Sequence, residues 1–436
     1  MISSLLNVLR ERAVLRYLSF SFLGTASGQA IVLLGTLLPI MALYDPAPIG
    51  VFSIFLGISA IGSLVATGRF EMVVPVAKDE HIAGALVSVA WACALTVSLL
   101  VAVVLLVWTP PWLASLGWAV WLLPAQIALG AASNTMRLWL SRQGRFDRIA
   151  GAEILRCSVM IGLQWGLAAT FDFSAVGLVV GYVAGWAVYL AVALVGTWSP
   201  FGHGGWSASI AAARAYAHNL YLLVGQSMNA CAAYAPIFFF RAAFDEAEAG
   251  LFYITLTFLY KPVLLLGQSV QQVFFPVASR QINEQGTCRP FFNRTVGWLL
   301  LVGTLVFVPM GVLAPWFLEW ISVVVDEDPD KWAGAGAMIM VLAPFCIVKL
   351  ASSAVRDLWI VAGRQSWDIV WQAGFLLAVL LGLGAGLLQE SPMASVWGYA
   401  IATTIPFLIN LCFCGLFASG AGHRSDRIEP VANHAT

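Results

Sequence analysis

Apolar residues run along this chain in twelve long blocks, each close to the twenty or so residues an α-helix needs to cross a hydrocarbon core about 30 Å thick. The blocks cover about 17–43, 50–67, 82–108, 118–136, 149–170, 175–196, 219–240, 250–278, 295–316, 333–353, 369–388 and 394–416. Polar and charged residues gather in the short segments between them. The pattern predicts an all-α polytopic membrane protein. Ahead of the first block, Ile2, Leu5, Leu6 and Leu9 repeat at helical spacing before Arg10, Arg12 and Arg16, as an interfacial helix would. That first block is too long for the core of a signal peptide, so it is read as a span.

The same pattern recurs within the chain. Gly28-Gln29 and Pro39-Ile40 of the first span return as Gly225-Gln226 and Pro236-Ile237 of the seventh. Further on, Gly50-Val51-Phe52 returns as Gly250-Leu251-Phe252, and Pro75-Val76-Ala77 as Pro276-Val277-Ala278. Leu138-Trp139 with Gly144-Arg145 returns as Leu358-Trp359 with Gly363-Arg364. A collinear series of this kind is the mark of a duplicated unit. Six spans per copy is an even number, so both copies enter the membrane with one orientation. The expected organisation is an interfacial segment (1–16), a six-helix lobe (17–196), a linker (197–218), a second six-helix lobe (219–416) and a tail (417–436). Two parallel repeats around a central cavity is a transporter plan.

Composition agrees with this reading: 60% of residues are hydrophobic, 10% are charged and the mean hydropathy is +0.87. A soluble domain is about one quarter charged. The 22 basic and 22 acidic residues cancel, leaving no basic excess for a nucleic-acid partner. Their placement is uneven. Seventeen Lys and Arg residues fall in the two tails and the loops after even-numbered spans, against Arg241 and Lys331 in the opposite loops. The positive-inside rule then places both termini in the cytoplasm. On the outer side, the run Asp326-Glu327-Asp328-Pro329-Asp330 reads as a solvated acidic turn.

Three cations fall inside spans: Arg156, Lys261 and Lys349. Charge at membrane depth is costly and by default functional. Lys261, in Tyr260-Lys261-Pro262, lies about 16 Å from the outer end of the eighth span, near the midplane. Gln268 and Gln272 follow on its face. A lysine that snorkels toward an interface would be placed the same way. Ser21, Thr25 and Gln29 mark one polar face of the first span; Asn219, Gln226 and Asn229 mark one of the seventh. A shared cavity and simple interhelical hydrogen bonding both produce such faces. Arg156 stands three residues after Glu153, a spacing that permits an ion pair. The first, second, seventh and eighth spans hold no Asp or Glu between their ends, so an ion-coupling carboxylate has no seat there. With Arg16 and Arg69 at the inner mouth, the inventory suits an anionic ligand. The glycine run Leu381-Gly382-Leu383-Gly384-Ala385-Gly386 lies inside an apolar span and reads as helix packing, not as a phosphate loop. No metal or nucleotide-hydrolysis motif is present in the sequence, and no cofactor is expected.

The segment Arg69-Phe70-Glu71-Met72-Val73-Val74-Pro75-Val76-Ala77-Lys78-Asp79-Glu80 resembles the Arg-aromatic-Glu, Pro, Lys and acidic signature of bacterial polysaccharide flippases. These belong to the multidrug/oligosaccharidyl-lipid/polysaccharide exporter superfamily. Gly144-Arg145-Phe146, Ala249-Gly250-Leu251-Phe252-Tyr253 and Phe274-Phe275-Pro276 are similar to further family segments. One departure is that Val76 and Ala77 separate Pro75 from Lys78. The resemblance implies a non-enzymatic inner-membrane carrier, with both termini cytoplasmic, that flips an undecaprenyl-pyrophosphate-linked oligosaccharide to the periplasmic leaflet by alternating access. Exopolysaccharide, capsule or O-antigen assembly would be its setting. A polysaccharide polymerase and other assembly proteins would be its partners beside the lipid bilayer. It implies a substrate site formed by Lys261, Arg69 and Arg16, and the polar faces read above add Gln29, Gln226, Gln268 and Gln272 to the expected site. Two rivals remain: a multidrug or metabolite antiporter of the same superfamily, and a membrane polysaccharide polymerase or ligase. The antiporter should show a midplane carboxylate. The enzyme should show a large outer loop, whereas the longest here, about 317–332, is short and acidic.

Overall fold

A computed structural model describes residues 38–77, 79–172, 174–196, 206–216, 220–326 and 330–420. Among these residues there are fourteen α-helices and no strands. In chain order they are α1 (Leu38–Leu43), α2 (Pro46–Ala66), α3 (Glu80–Val107), α4 (Leu122–Arg142), α5 (Phe146–Gly166), α6 (Ala175–Leu194) and α7 (Trp206–Ala215). The remainder are α8 (Leu220–Ala243), α9 (Glu246–Gln285), α10 (Arg289–Asp326), α11 (Ala333–Val355), α12 (Leu358–Val361), α13 (Gln365–Leu387) and α14 (Pro392–Ala418). Short 3₁₀ segments at Phe70–Val76, Pro111–Trp121 and Ala169–Phe171 join some of them.

Nine helices among the described residues are long and apolar enough to span a bilayer, against the twelve expected. Of the first expected span only its end, α1, is described. The fifth and seventh are built as α5 and α8 but are too polar to count. Asp147, Arg148, Glu153 and Arg156 interrupt α5, and Gln226, Ser227 and Asn229 interrupt α8. The outer loop expected at 317–332 is also shorter than read, because α10 runs through to Asp326. Phe317 through Val325 is apolar apart from Glu319 and Ser322, and exposed Trp316 and Trp320 suit the interfacial belt there. The acidic run's Glu327, Asp328 and Pro329, the N-terminal segment and most of the tail lie outside the described residues.

Helix ends follow local chemistry. The Asp79 carboxylate accepts from the Ile82 amide at 2.7 Å and caps α3. Asp245 does the same for α9 through the Glu248 amide at 2.8 Å, and α9 stops at Gly286, whose φ of 72° ends a helix without a Cβ penalty. Gly382 and Gly386 bring α13 against Gly398 and Ser395 of α14, while Gly384 faces open space, so the glycine run is a packing seam.

Contacts divide the chain into two compact units. One comprises residues 30–255 and 317–335, so α8 and the first turns of α9 pack with the helices before them. One core within it gathers Phe70, Val74, Leu86, Met136, Trp139, Leu140 and Tyr189. The other comprises, among the described residues, 256–316 and 336–420, and its core gathers Phe274, Phe292, Leu358, Trp359 and Cys414. The duplicated segments take the same conformation in each. Gly144 and Gly363 both have positive φ, 69° and 65°. The following amides of Arg145 and Arg364 both reach back 3.0 Å, to the carbonyls of Leu140 and Trp359. Trp139 and Trp359, the matched tryptophans, are both buried.

Candidate functional site

The signature segment after α2 is a tightly held turn. Gly68 and Arg69 have φ of 58° and 63°, so the chain reverses through two consecutive left-handed residues. Arg69 bears a Cβ, and the conformation persists because its side chain is fixed at both ends of the fork. Nη1 donates to Glu71 Oε1 at 3.2 Å, and Nη2 donates to Gln226 Oε1 on α8. The two charged side chains are only 7% and 1% exposed. Burial pulls the Arg69 guanidinium down from its ordinary value, and Glu71 pushes it back up. Arg69 Nε and Glu71 Oε2 have no hydrogen-bond partner among the described residues, so the cluster retains one donor and one acceptor.

Phe70, Val73 and Val74 of the same segment enter the core. Its far end is held by Arg142 at the end of α4, whose Nη1 donates to the carbonyls of Val74, Pro75 and Ala77 at 3.0, 3.3 and 2.8 Å. Arg142 was visible in the sequence only as an inner-face charge, and its use as a carbonyl clamp depends on two elements folding together. The signature therefore builds a rigid platform that presents Arg69. Lys78 lies outside the described residues.

Of the expected site residues, the structure brings together Arg69 and Gln226. Arg16 and Gln29 lie outside the described residues. Lys261, Gln268 and Gln272 share one face of α9, with the lysine half-buried and both glutamines exposed. The adjacent residue, Tyr260, leads to a second cation that sequence reasoning counted without giving it a role. Lys349 of α11 places Nζ 3.3 Å from the centre of the Tyr260 ring and 5.6 and 5.7 Å from those of Phe345 and Phe407. Tyr260 is held in turn by a 2.7 Å hydroxyl contact with Tyr399. No carboxylate of the described residues lies within ion-pair distance of Lys349. Aromatic faces offset part of the cost of holding an ammonium there without an anion.

The two cations expected on the outer face are neutralised locally. Arg241 meets Glu246 at 2.7 Å, and Lys331 meets Asp45 at 2.9 Å. In α5 the Arg156–Glu153 pair forms, with contacts of 3.0 and 2.5 Å, and the guanidinium lies 4.7 Å from the centre of the Trp186 ring.

The described residues fold as a polytopic α-helical membrane protein, and solved structures share that fold. The fold matches an inward-facing multidrug resistance MATE family transporter of the MOP superfamily with a TM-score of 0.69 at 13% identity, covering 93% of this chain and 99% of that one. It matches the lipid II flippase MurJ, in an inward closed conformation, with a TM-score of 0.68 at 12% identity, covering 90% and 87%. A MOP superfamily transporter from Pyrococcus furiosus matches with a TM-score of 0.63 at 14% identity, covering 93% and 95%. Residues 41–324 match the family described as polysaccharide biosynthesis protein, and the chain belongs to that family. The teichuronic acid biosynthesis protein TuaB of Bacillus subtilis (strain 168) is 26% identical over 168 residues. That match spans 38% of this chain and about a third, 34%, of TuaB.

Proposed function

We propose that this protein flips a polyprenyl-pyrophosphate-linked oligosaccharide from the cytoplasmic to the periplasmic leaflet of the bacterial inner membrane by alternating access. The observation that carries this reading is the positive charge left uncompensated at membrane depth. Lys349 rests on aromatic faces with no carboxylate of the described residues in ion-pair range, and its main support, Tyr260, is the neighbour of Lys261. Between Glu248 and Glu284, α9 holds no acidic residue at all. A pyrophosphate entering a membrane protein loses most of its hydration and needs fixed cations to offset that loss. A carrier of cationic drugs needs the opposite sign.

Membership of the polysaccharide biosynthesis family supports a glycan cargo, and the likeness to transporter folds supports transport over catalysis. Arg69, presented with Gln226 on the platform after α2, is the natural cation at the cytoplasmic mouth. Two parallel lobes, 17–196 and 219–416, with both termini cytoplasmic, complete the reading, and a polymerase is the partner expected to receive the flipped glycan. The test is a deletion strain. Lipid-linked glycan should accumulate on the cytoplasmic leaflet and disappear on complementation, and unchanged levels of that intermediate would exclude the reading.

A further inference from the structure

We propose that the Arg156–Glu153 pair of α5 and the aromatic ladder of α6 form a saccharide-binding site for the first sugars of the cargo. The inference rests on the flippase reading and adds the residues that recognise glycan in place of phosphate. Tyr182, Trp186 and Tyr189 stand at i, i+4 and i+7 of α6, a spacing that puts three rings on one helix face. They touch in sequence: ring centres are 6.3 Å apart from Tyr182 to Trp186 and 5.8 Å from Trp186 to Tyr189. Phe52 of α2 extends the ladder, edge-on to Tyr182 at 5.8 Å. The three residues of α6 span roughly 10 Å along the helix axis, with successive rings tilted 76° and 57° to one another.

A pyranose presents two surfaces: a face of C–H groups, which packs on an aromatic ring, and a rim of hydroxyls, which needs paired donors and acceptors. Both are met here. Arg156 is the eleventh of the 21 residues of α5, the middle of that helix, and its guanidinium lies on the Trp186 ring. The side chain of its partner Glu153 remains 48% exposed, so a carboxylate at membrane depth has lone pairs to spare. Charges held at that depth face a bundle interior or a water-filled cavity. Contact with Trp186, whose neighbour Tyr182 packs on α2, puts the pair on the interior side. Tyr182 and Trp186 are themselves only partly covered. The ladder ends at Tyr189, which is 2% exposed with a hydroxyl that has no partner among the described residues. Tyr189 belongs to the same buried core as Phe70, the residue after Arg69.

The probes are the lipid-linked glycan extracted from a deletion strain and undecaprenyl pyrophosphate without sugar, each titrated into the purified full chain in nanodiscs. The wild-type protein should hold the glycosylated lipid about tenfold more tightly than the bare one. Trp186→Ala and Tyr182→Leu should each cut that preference to less than about threefold while leaving affinity for the bare lipid within about twofold. Retained preference in both variants would overturn the site. Equal binding of both lipids by the wild type would also overturn it and leave the flippase reading standing, whereas binding of neither would remove both. Loss of both ligands by both variants would assign the rings to the fold and overturn the proposal.

Discussion

Gly50 and Gly250 give each other room. A Cβ on Gly50 would stand 1.8 Å from the carbonyl oxygen of Glu246, and a Cβ on Gly250 would stand 1.9 Å from that of Pro46. Each obstructing carbonyl lies four residues before the opposite glycine, so exchanging the two residues leaves the contact unchanged. That reciprocity is what a local two-fold relation between two similar segments produces. Gly50→Ala or Gly250→Ala puts a methyl group into backbone that no rotamer change can relieve. Each should cost about 1–3 kcal/mol or more and lower the melting temperature in detergent. Gly151→Ala, which meets nothing within 4 Å, should not. Equal melting of all three variants would mean that α2 and α9 do not touch in this way.

The Arg69–Glu71 pair makes a prediction about rescue. Both side chains are buried, so Arg69→Ala strands a carboxylate, and breaking a buried pair from one side typically costs about 3–5 kcal/mol. Arg69→Ala should therefore reduce the amount of folded protein, and adding Glu71→Gln should restore much of it, as read by fluorescence-detected size-exclusion chromatography. If the anion-binding reading of Arg69 is right, the double variant folds but still fails to export polysaccharide. Export by the double variant would confine Arg69 to a structural role.

Orientation is open to thiol labelling in whole cells. Cysteines introduced at His203 and in the tail should react only with membrane-permeant reagents, and one at Asp328 with impermeant ones. The pairing of Arg241 with Glu246 and Lys331 with Asp45 fits this arrangement, since it neutralises the two cations expected on the outer face. Labelling of the Asp328 position only from the cytoplasm would invert the topology and undo the positive-inside argument.

Much of the fold was legible because membrane helices announce themselves locally. A run of apolar residues needs no distant partner to declare a span, and the repeats at Gly144-Arg145 and Gly363-Arg364 encode the same local turn twice. Helix ends were harder: α10 passes residue 316 because an interface tolerates Trp316 and Trp320 as a loop would. The site was legible only in part. Arg69 and Gln226 were each visible as polar residues, but their meeting joins positions 157 residues apart. The Lys349 cage draws Tyr260, Phe345 and Phe407 from three helices, and only Phe345, four residues before the lysine on its own helix, was a local signal of it. Spacing showed that Arg156 and Glu153 could pair but not that Trp186 lay beneath them.

The two lysines of the second unit separate charge from packing. Lys261 is half-buried on a face shared with Gln268 and Gln272, so Lys261→Ala should fold, reach the membrane in near-normal amount and abolish export. Lys261→Arg keeps the charge with a different donor geometry and should retain part of the activity. Lys349 differs because its ammonium sits 3.3 Å from the Tyr260 ring centre, where a planar guanidinium has a different shape to fit. Lys349→Arg should therefore fare worse than Lys261→Arg. Lys349→Leu, which fills the aromatic cage without charge, should be as stable as the wild type and inactive in export. The measurement is polysaccharide export in a complemented deletion strain, with protein level followed by immunoblot. Full export by well-expressed Lys261→Ala and Lys349→Leu would remove both lysines from the transport path and leave Arg69 as the cation to test.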